Sequence, residues 1–169
     1  MNILVVDGYN IIGAWDELKQ LKNKDMGQAR DRLVEMMAEY QAYSGYKVIV
    51  VFDAYYVSGT ESRYKQFKID VIFTREKETA DECIEKLVKD LKNVKNQIYV
   101  ATSDYDEQRH IFGSGALRKS ARELYIEMTN VEHEIEENIS KHSQVKPKST
   151  IPLDSNVLAV FEKWRRGVK

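Results

Sequence analysis

The sequence predicts an α/β fold, a mostly parallel central sheet with helices on both faces. Two observations carry that expectation. Short apolar runs rich in β-branched residues alternate with stretches of helical period, the pattern of strand–helix–strand crossovers. In addition, three of these runs end on an aspartate: Ile3 to Val6 on Asp7, Val48 to Phe52 on Asp53, and Ile98 to Thr102 on Ser103-Asp104. Strands of a parallel sheet bring their carboxyl ends to one edge, where open α/β sheets bind ligands. The pattern therefore places three acids on one rim.

The elements follow in order. Ile3 to Val6 has no polar interruption and reads as a strand buried on both faces. Gly8 lets the backbone turn sharply after it, leaving the Asp7 carboxylate toward the crevice. Beyond Ile11-Ile12-Gly13-Ala14-Trp15, a polar, lysine-rich stretch runs to Asp25. From Gly27 the helical period appears, with Ala29, Leu33, Met36, Met37 and Tyr40 on one stripe and Gly45 placed to stop it. Val48 to Phe52 is the second buried strand. Residues 55–68 sustain neither period; they read as a loop mixing Tyr55, Tyr56, Tyr64 and Phe67 with Arg63, Lys65 and Lys68.

Ile69 to Thr74 alternates apolar and polar residues, as an edge strand does. Thr79-Ala80-Asp81-Glu82 has the form of a capping box, opening a helix that buries Ile84, Leu87, Val88 and Leu91. After the strand Ile98 to Thr102, a short helix is expected from Asp106 to Phe112, stopped by Gly113-Ser114-Gly115. A long amphipathic helix is expected from Leu117 to Ser140, with Ala121, Leu124, Met128, Val131, Ile135 and Ile139 on its apolar side. Residues 1–140 would form the main domain. Residues 141–152 hold both prolines and no acid, and read as a linker or surface arm. Residues 153–169 read as a last helix, with Val157, Leu158, Phe161 and Trp164 packed on the same domain.

A chain of 169 residues suffices for one full hydrophobic core. The net charge of −1, with a pI near 6.3, supplies no global attraction for nucleic acid, so any such binding needs a local patch. No apolar run approaches the roughly 20 residues of a membrane span, and Asp7 breaks any signal-like run, so a cytoplasmic location is expected. The single cysteine, Cys83, excludes an internal disulfide and a thiolate zinc cluster. His110, His133 and His142 fall on expected helix or linker surfaces, which leaves a Ser/His or Cys/His hydrolase without support.

Asp7, Asp53 and Asp104 would converge on the rim, and Asp81 could join them from the start of a helix. Asp81 alone also suits the macrodipole there. Four carboxylates in close approach need a counter-charge. With oxygen donors only, that partner is Mg²⁺ or Mn²⁺. Such a site suits metal-assisted phosphodiester hydrolysis. A phosphoacceptor receiver domain also carries an acid near position 53, but it wants an acidic pair after the first strand, where this chain has Gly8-Tyr9.

Val6-Asp7-Gly8-Tyr9-Asn10, Val51-Phe52-Asp53-Ala54, Glu78-Thr79-Ala80-Asp81-Glu82 and Thr102-Ser103-Asp104 occur in that order. Together with Gly115 to Glu123 and Phe161 to Gly167, they resemble the motifs of the bacterial YacP-type NYN domains, which belong to the PIN-like nucleases. The resemblance covers nearly the whole chain. It implies a PIN-like three-layer fold with added C-terminal helices, and a metal-dependent endoribonuclease. By it, Asp7, Asp53, Asp81 and Asp104 are catalytic ligands of Mg²⁺ or Mn²⁺, and Asn10 orients Asp7 or a metal-bound water. Asp106 and Glu107 are second-tier candidates.

The expected substrate is single-stranded mRNA, with the ribosome as a candidate presenter; no membrane or nucleotide cofactor is expected. The alternative is a catalytically silent RNA-binding or ribosome-associated adaptor on the same fold. An acidic site repels phosphate, so flanking cations must hold the strand. Arg63, Lys65, Lys68, Arg118, Lys119 and Arg122 are the expected set, extended by Arg165 and Arg166, with Tyr64 and Phe67 stacking on bases.

Overall fold

Strand β1 (Asn2–Asp7) is buried from Ile3 onward and lies at the centre of a five-stranded sheet. The computed structural model that shows this describes residues 1–54, 68–104, 109, 113, 115–144, 163, 165 and 167. On one side β1 pairs with β2 (Lys47–Phe52), and on the other with β4 (Gln97–Ala101). In register, Ile3 lies opposite both Lys47 and Ile98. β3 (Asp70–Phe73) adds to β2, and β5 (Leu117–Lys119) adds to β4. The order is β3-β2-β1-β4-β5, and every pair is parallel.

Among the described residues the helices with defined bounds are α1 (Gly8–Ala14), α2 (Asp16–Lys24), α3 (Met26–Ser44), α4 (Ala80–Leu91) and α5 (Ala121–Gln144). Side chains alternate across a strand, so each buried strand must be covered twice. Ile3, Val5, Ile49, Val51, Ile98 and Val100 meet Cys83, Ile84 and Val88 of α4. Leu4, Val6, Val48 and Val50 face the other way and are fully buried; α1 and α3 pack on β1 and β2 there. This is the expected three-layer arrangement. Gly45 closes α3 at φ +77, and the Thr79 hydroxyl caps α4 by accepting from Glu82 N at 3.2 Å.

Three segments depart from expectation. The polar stretch after Asn10 is helical, as α1 and α2. In α2 only Leu18 is buried, so its apolar stripe is too thin to show a period, and the segment is anchored just before it by Trp15. That indole N–H donates to Ala121 O at 2.8 Å across 106 residues. Residues 117–119 form β5 rather than the first turn of the long helix, which begins at Ala121. No residue of Leu117-Arg118-Lys119 is β-branched; the strand exists because the edge of β4 is there to pair with. Lastly, α5 runs on through Lys141–Gln144, where a linker was expected to begin.

The chain forms two compact units, Met1–His133 and Glu134–Lys169, with the boundary inside α5. In the first unit α5 buries Ala121, Leu124, Met128 and Val131, while in the second Ile139 is exposed. The aromatic loop at 55–67, most of the expected 106–112 helix, and the arm and last helix beyond Gln144 (three single positions aside) lie outside the described residues. No helix among the described residues is long and apolar enough to cross a membrane.

Candidate active site

The chain steps from β1 to β2 to β3 in one direction, then returns to the far side of β1 for β4 and β5. The strand order therefore reverses between β1 and β4, which is where open α/β sheets form a binding crevice. Asp7 ends β1 at this point, and Thr102-Ser103-Asp104 leaves β4 beside it. Asn10 on α1 ties the two exits together. Its Oδ1 accepts from Ser103 N and from Ser103 Oγ, each at 2.7 Å. The role seen for Asn10 is thus to hold the loop after β4. That loop is held further by Asp104 N donating to Thr102 Oγ1 at 3.1 Å and Thr102 N donating to Lys119 O at 3.2 Å.

Asp7 is 8% exposed and occupies the N-cap position of α1, yet its side chain makes no capping bond to that helix. Gly8 is required for space rather than for an unusual φ: a Cβ there would run into the Phe52 ring. Phe52 is fixed between Tyr9 and Phe73, with ring centroids 5.1 and 5.6 Å away. The Tyr9 hydroxyl accepts from Arg30 Nη1 at 3.2 Å, and Arg30 itself is 7% exposed. Arg30 is a site residue whose signal in the sequence is its register. It sits in the buried stripe of α3, three, four and seven residues before Leu33, Val34 and Met37. A charge in that register is held there by something other than water.

Asp53 follows β2 and Asp104 follows β4, both partly exposed, so three of the four predicted acids lie at the ends of adjacent strands. Asp53 is steadied by its surroundings. Thr74 N donates to Phe52 O, and Ala54 N donates to Thr74 Oγ1, both at 3.0 Å. Asp81 is exposed in the first turn of α4, reached from the carboxyl end of β3 and hence on the same edge. Among the described residues, however, no three His, Cys, Asp or Glu side chains stand close enough to hold a metal ion. Asp53, Asp7 and Asp104 end or follow adjacent strands and so form a row along this edge. Carboxylate oxygens at such a row still match Mg²⁺ chemistry, because Mg²⁺ is usually held by one or two carboxylates together with waters and substrate phosphate rather than by an all-protein cage.

The expected cationic set is dispersed. Lys119 is 7% exposed, and its Nζ lies 2.8 Å from Glu127 Oε2 and over the rings of Tyr46 and Tyr99. It is an internal counter-ion rather than an exposed cation. Tyr40 donates to the same Glu127 oxygen at 2.7 Å; burial, and then Glu127, push its phenol well above the ordinary range. Lys68 precedes β3 beside the Lys47–Asp70 pair, at the amino edge of the sheet and opposite the acids. Arg118 and Arg122 are exposed and line a cleft of about 410 Å³ with Trp15, Asp16, Ser103 and Tyr125. Arg63, Tyr64, Lys65, Phe67, Asp106, Glu107 and Arg166 lie outside the described residues, and Arg165 is an exposed helical residue of the second unit.

Comparison with known proteins agrees with this architecture. Residues 4–166 match the model of the YacP-like NYN domain. The YacP protein of Bacillus subtilis (strain 168) is 56% identical over 167 residues, covering 99% of this chain and 98% of that protein. The crystal structure of Rae1 (YacP) from Bacillus subtilis superposes with a TM-score of 0.80 at 56% identity, covering 99% of this chain and 96% of the other. A tryptophan-to-leucine mutant of the same protein gives 0.75 at 53% identity, with the same coverage. NYN domains fall within the PIN-like nuclease superfamily, which supports a nuclease-type function. The chain belongs to the YacP-like NYN domain family.

Proposed function

We propose that the protein is a metal-dependent endoribonuclease that cuts single-stranded mRNA at the row of acids on the carboxyl edge of its sheet, with the ribosome as the candidate presenter of that RNA. The observation that carries this reading is the placement of Asp7, nearly buried at the end of the central strand where the strand order reverses, in a chain of nuclease family. Asp7, Asp53 and Asp104, with Asp81 at the start of α4, are the residues that would hold Mg²⁺ or Mn²⁺. When bound, the cation supplies an activated water and offsets charge on the leaving oxygen. Asn10 acts as a positioning residue, keeping Ser103 and so the Asp104 loop against α1. The Phe52 ring packs against Gly8, the residue that follows Asp7.

The test is cleavage of a defined RNA by the purified full chain. Activity should appear with Mg²⁺ or Mn²⁺, vanish in EDTA and return when either ion is restored. Asp7→Asn and Asp81→Asn should each lower the rate by about 100-fold or more while leaving the circular dichroism spectrum unchanged. Full cleavage by a folded Asp7→Asn protein would sink the assignment. Binding of RNA without cleavage under either ion would favour the adaptor reading instead. Comparing naked mRNA with ribosome-engaged mRNA separates direct action from presentation.

A further inference from the structure

We infer that the cleft beside the acidic row is a nucleotide subsite, seating one base and its phosphate from the strand next to the bond that is cut. This rests on the RNA-processing reading above. The cleft, about 410 Å³, runs from the α1–α2 junction to the start of α5 and shares Ser103, the chain neighbour of Asp104, with the Asn10 clamp. A single nucleotide is a sensible occupant of that volume.

Its walls differ in chemistry. Arg118 on β5 and Arg122 on α5 are exposed cations that line it. Guanidinium groups bind phosphate oxygens through paired N–H donors, and they do so beside acids that would otherwise repel the strand. Tyr125, one turn from Arg122, is 44% exposed. Its ring is not loose: it meets Trp15 edge-on, 5.4 Å between centroids, and Trp15 is anchored by its bond to Ala121 O. A rigid, half-exposed ring of this kind is a stacking platform for a base of any identity. Asp16 also lines the cleft, where a carboxylate disfavours a second phosphate and can accept from a base amine or a ribose hydroxyl.

The experiment is an anisotropy titration of the full chain, carrying Asp7→Asn to prevent turnover, with a short single-stranded RNA in Mg²⁺. Tyr125→Leu should raise Kd about tenfold with little change in its salt dependence, whereas Tyr125→Phe, which keeps the ring, should bind as before. Arg118→Ala with Arg122→Ala should also raise Kd, and should flatten the slope of log affinity against log salt by about 0.7 for each phosphate lost. With 4-thiouridine in the RNA, photocrosslinking should map to the peptide containing Tyr125. If Tyr125→Leu fails to fold, the arginine pair and the crosslink still decide the matter. Unchanged affinity in the arginine pair, or a crosslink mapping elsewhere, overturns the subsite, as does a chain that binds no RNA. Binding through this cleft by a wild-type chain that cuts nothing would instead overturn the nuclease reading and leave the subsite standing.

Discussion

At the scale of single residues, the site depends on contacts that residue type alone does not reveal. Gly8 looks like a turn glycine but is a spacing residue, because the Phe52 ring occupies the volume of its missing Cβ. Gly8→Ala should therefore cost about 1–3 kcal/mol, the usual range for forcing extra volume into packed surroundings. A urea titration measures this, and an unchanged midpoint would show that Phe52 gives way freely. Asn10 makes two bonds to Ser103 through one oxygen. Asn10→Ala should cost about 1–2 kcal/mol and speed amide exchange at residues 102–104 more than in the rest of the sheet. Uniform acceleration across the sheet would mean that the bonds serve global stability rather than loop position.

At the scale of elements, the contrast between α3 and β5 is instructive. The α3 helix was readable because its buried residues recur at helical spacing and Gly45 ends it in the left-handed region. Gly45→Ala should cost about 1 kcal/mol, detectable as a lower melting temperature, because a Cβ is strained at that φ. Periodicity could not find β5, where three residues carry two charges and no β-branched side chain. What holds Lys119 in β5 is Glu127, one contact among several that join β5, α3 and α5. Tyr40 in that network gives a pH prediction. Its titration is raised in the folded chain, so the stability it contributes is complete below the unfolded phenol pKa of about 10. That contribution is lost as pH rises from there through the folded value. Tyr40→Phe should flatten the alkaline fall in stability above pH 10, seen by denaturant melts at pH 9 to 11. An identical alkaline limb in both proteins would exclude Tyr40 as its source.

At the scale of the whole molecule, charge placement matters more than net charge, which is −1. Of the described cations first expected to grip RNA, Lys119 is spent internally and Lys68 sits at the edge of the sheet opposite the acids. Within the first unit that leaves Arg118 and Arg122, which line the cleft with Ser103. Lys68→Ala should thus leave the affinity for a short RNA within about twofold of wild type, because a charge well beyond a Debye length of roughly 8 Å is screened. A marked loss on that substitution would show that the strand wraps both edges of the sheet.

The strands that end in acids, the parallel sheet they imply, the capped helices and the family are all legible along the chain. These follow from periodicity and from local backbone chemistry, which a linear reading can register. Only the tertiary structure decided that Asn10 pins Ser103, that Gly8 makes room for Phe52, that Arg30 lies beneath Tyr9, and that Lys119 faces Glu127 instead of solvent. Each of these joins residues far apart in the chain. Side-chain direction there is set by what the neighbouring strand or helix leaves open, and the preference of the residue itself has little say.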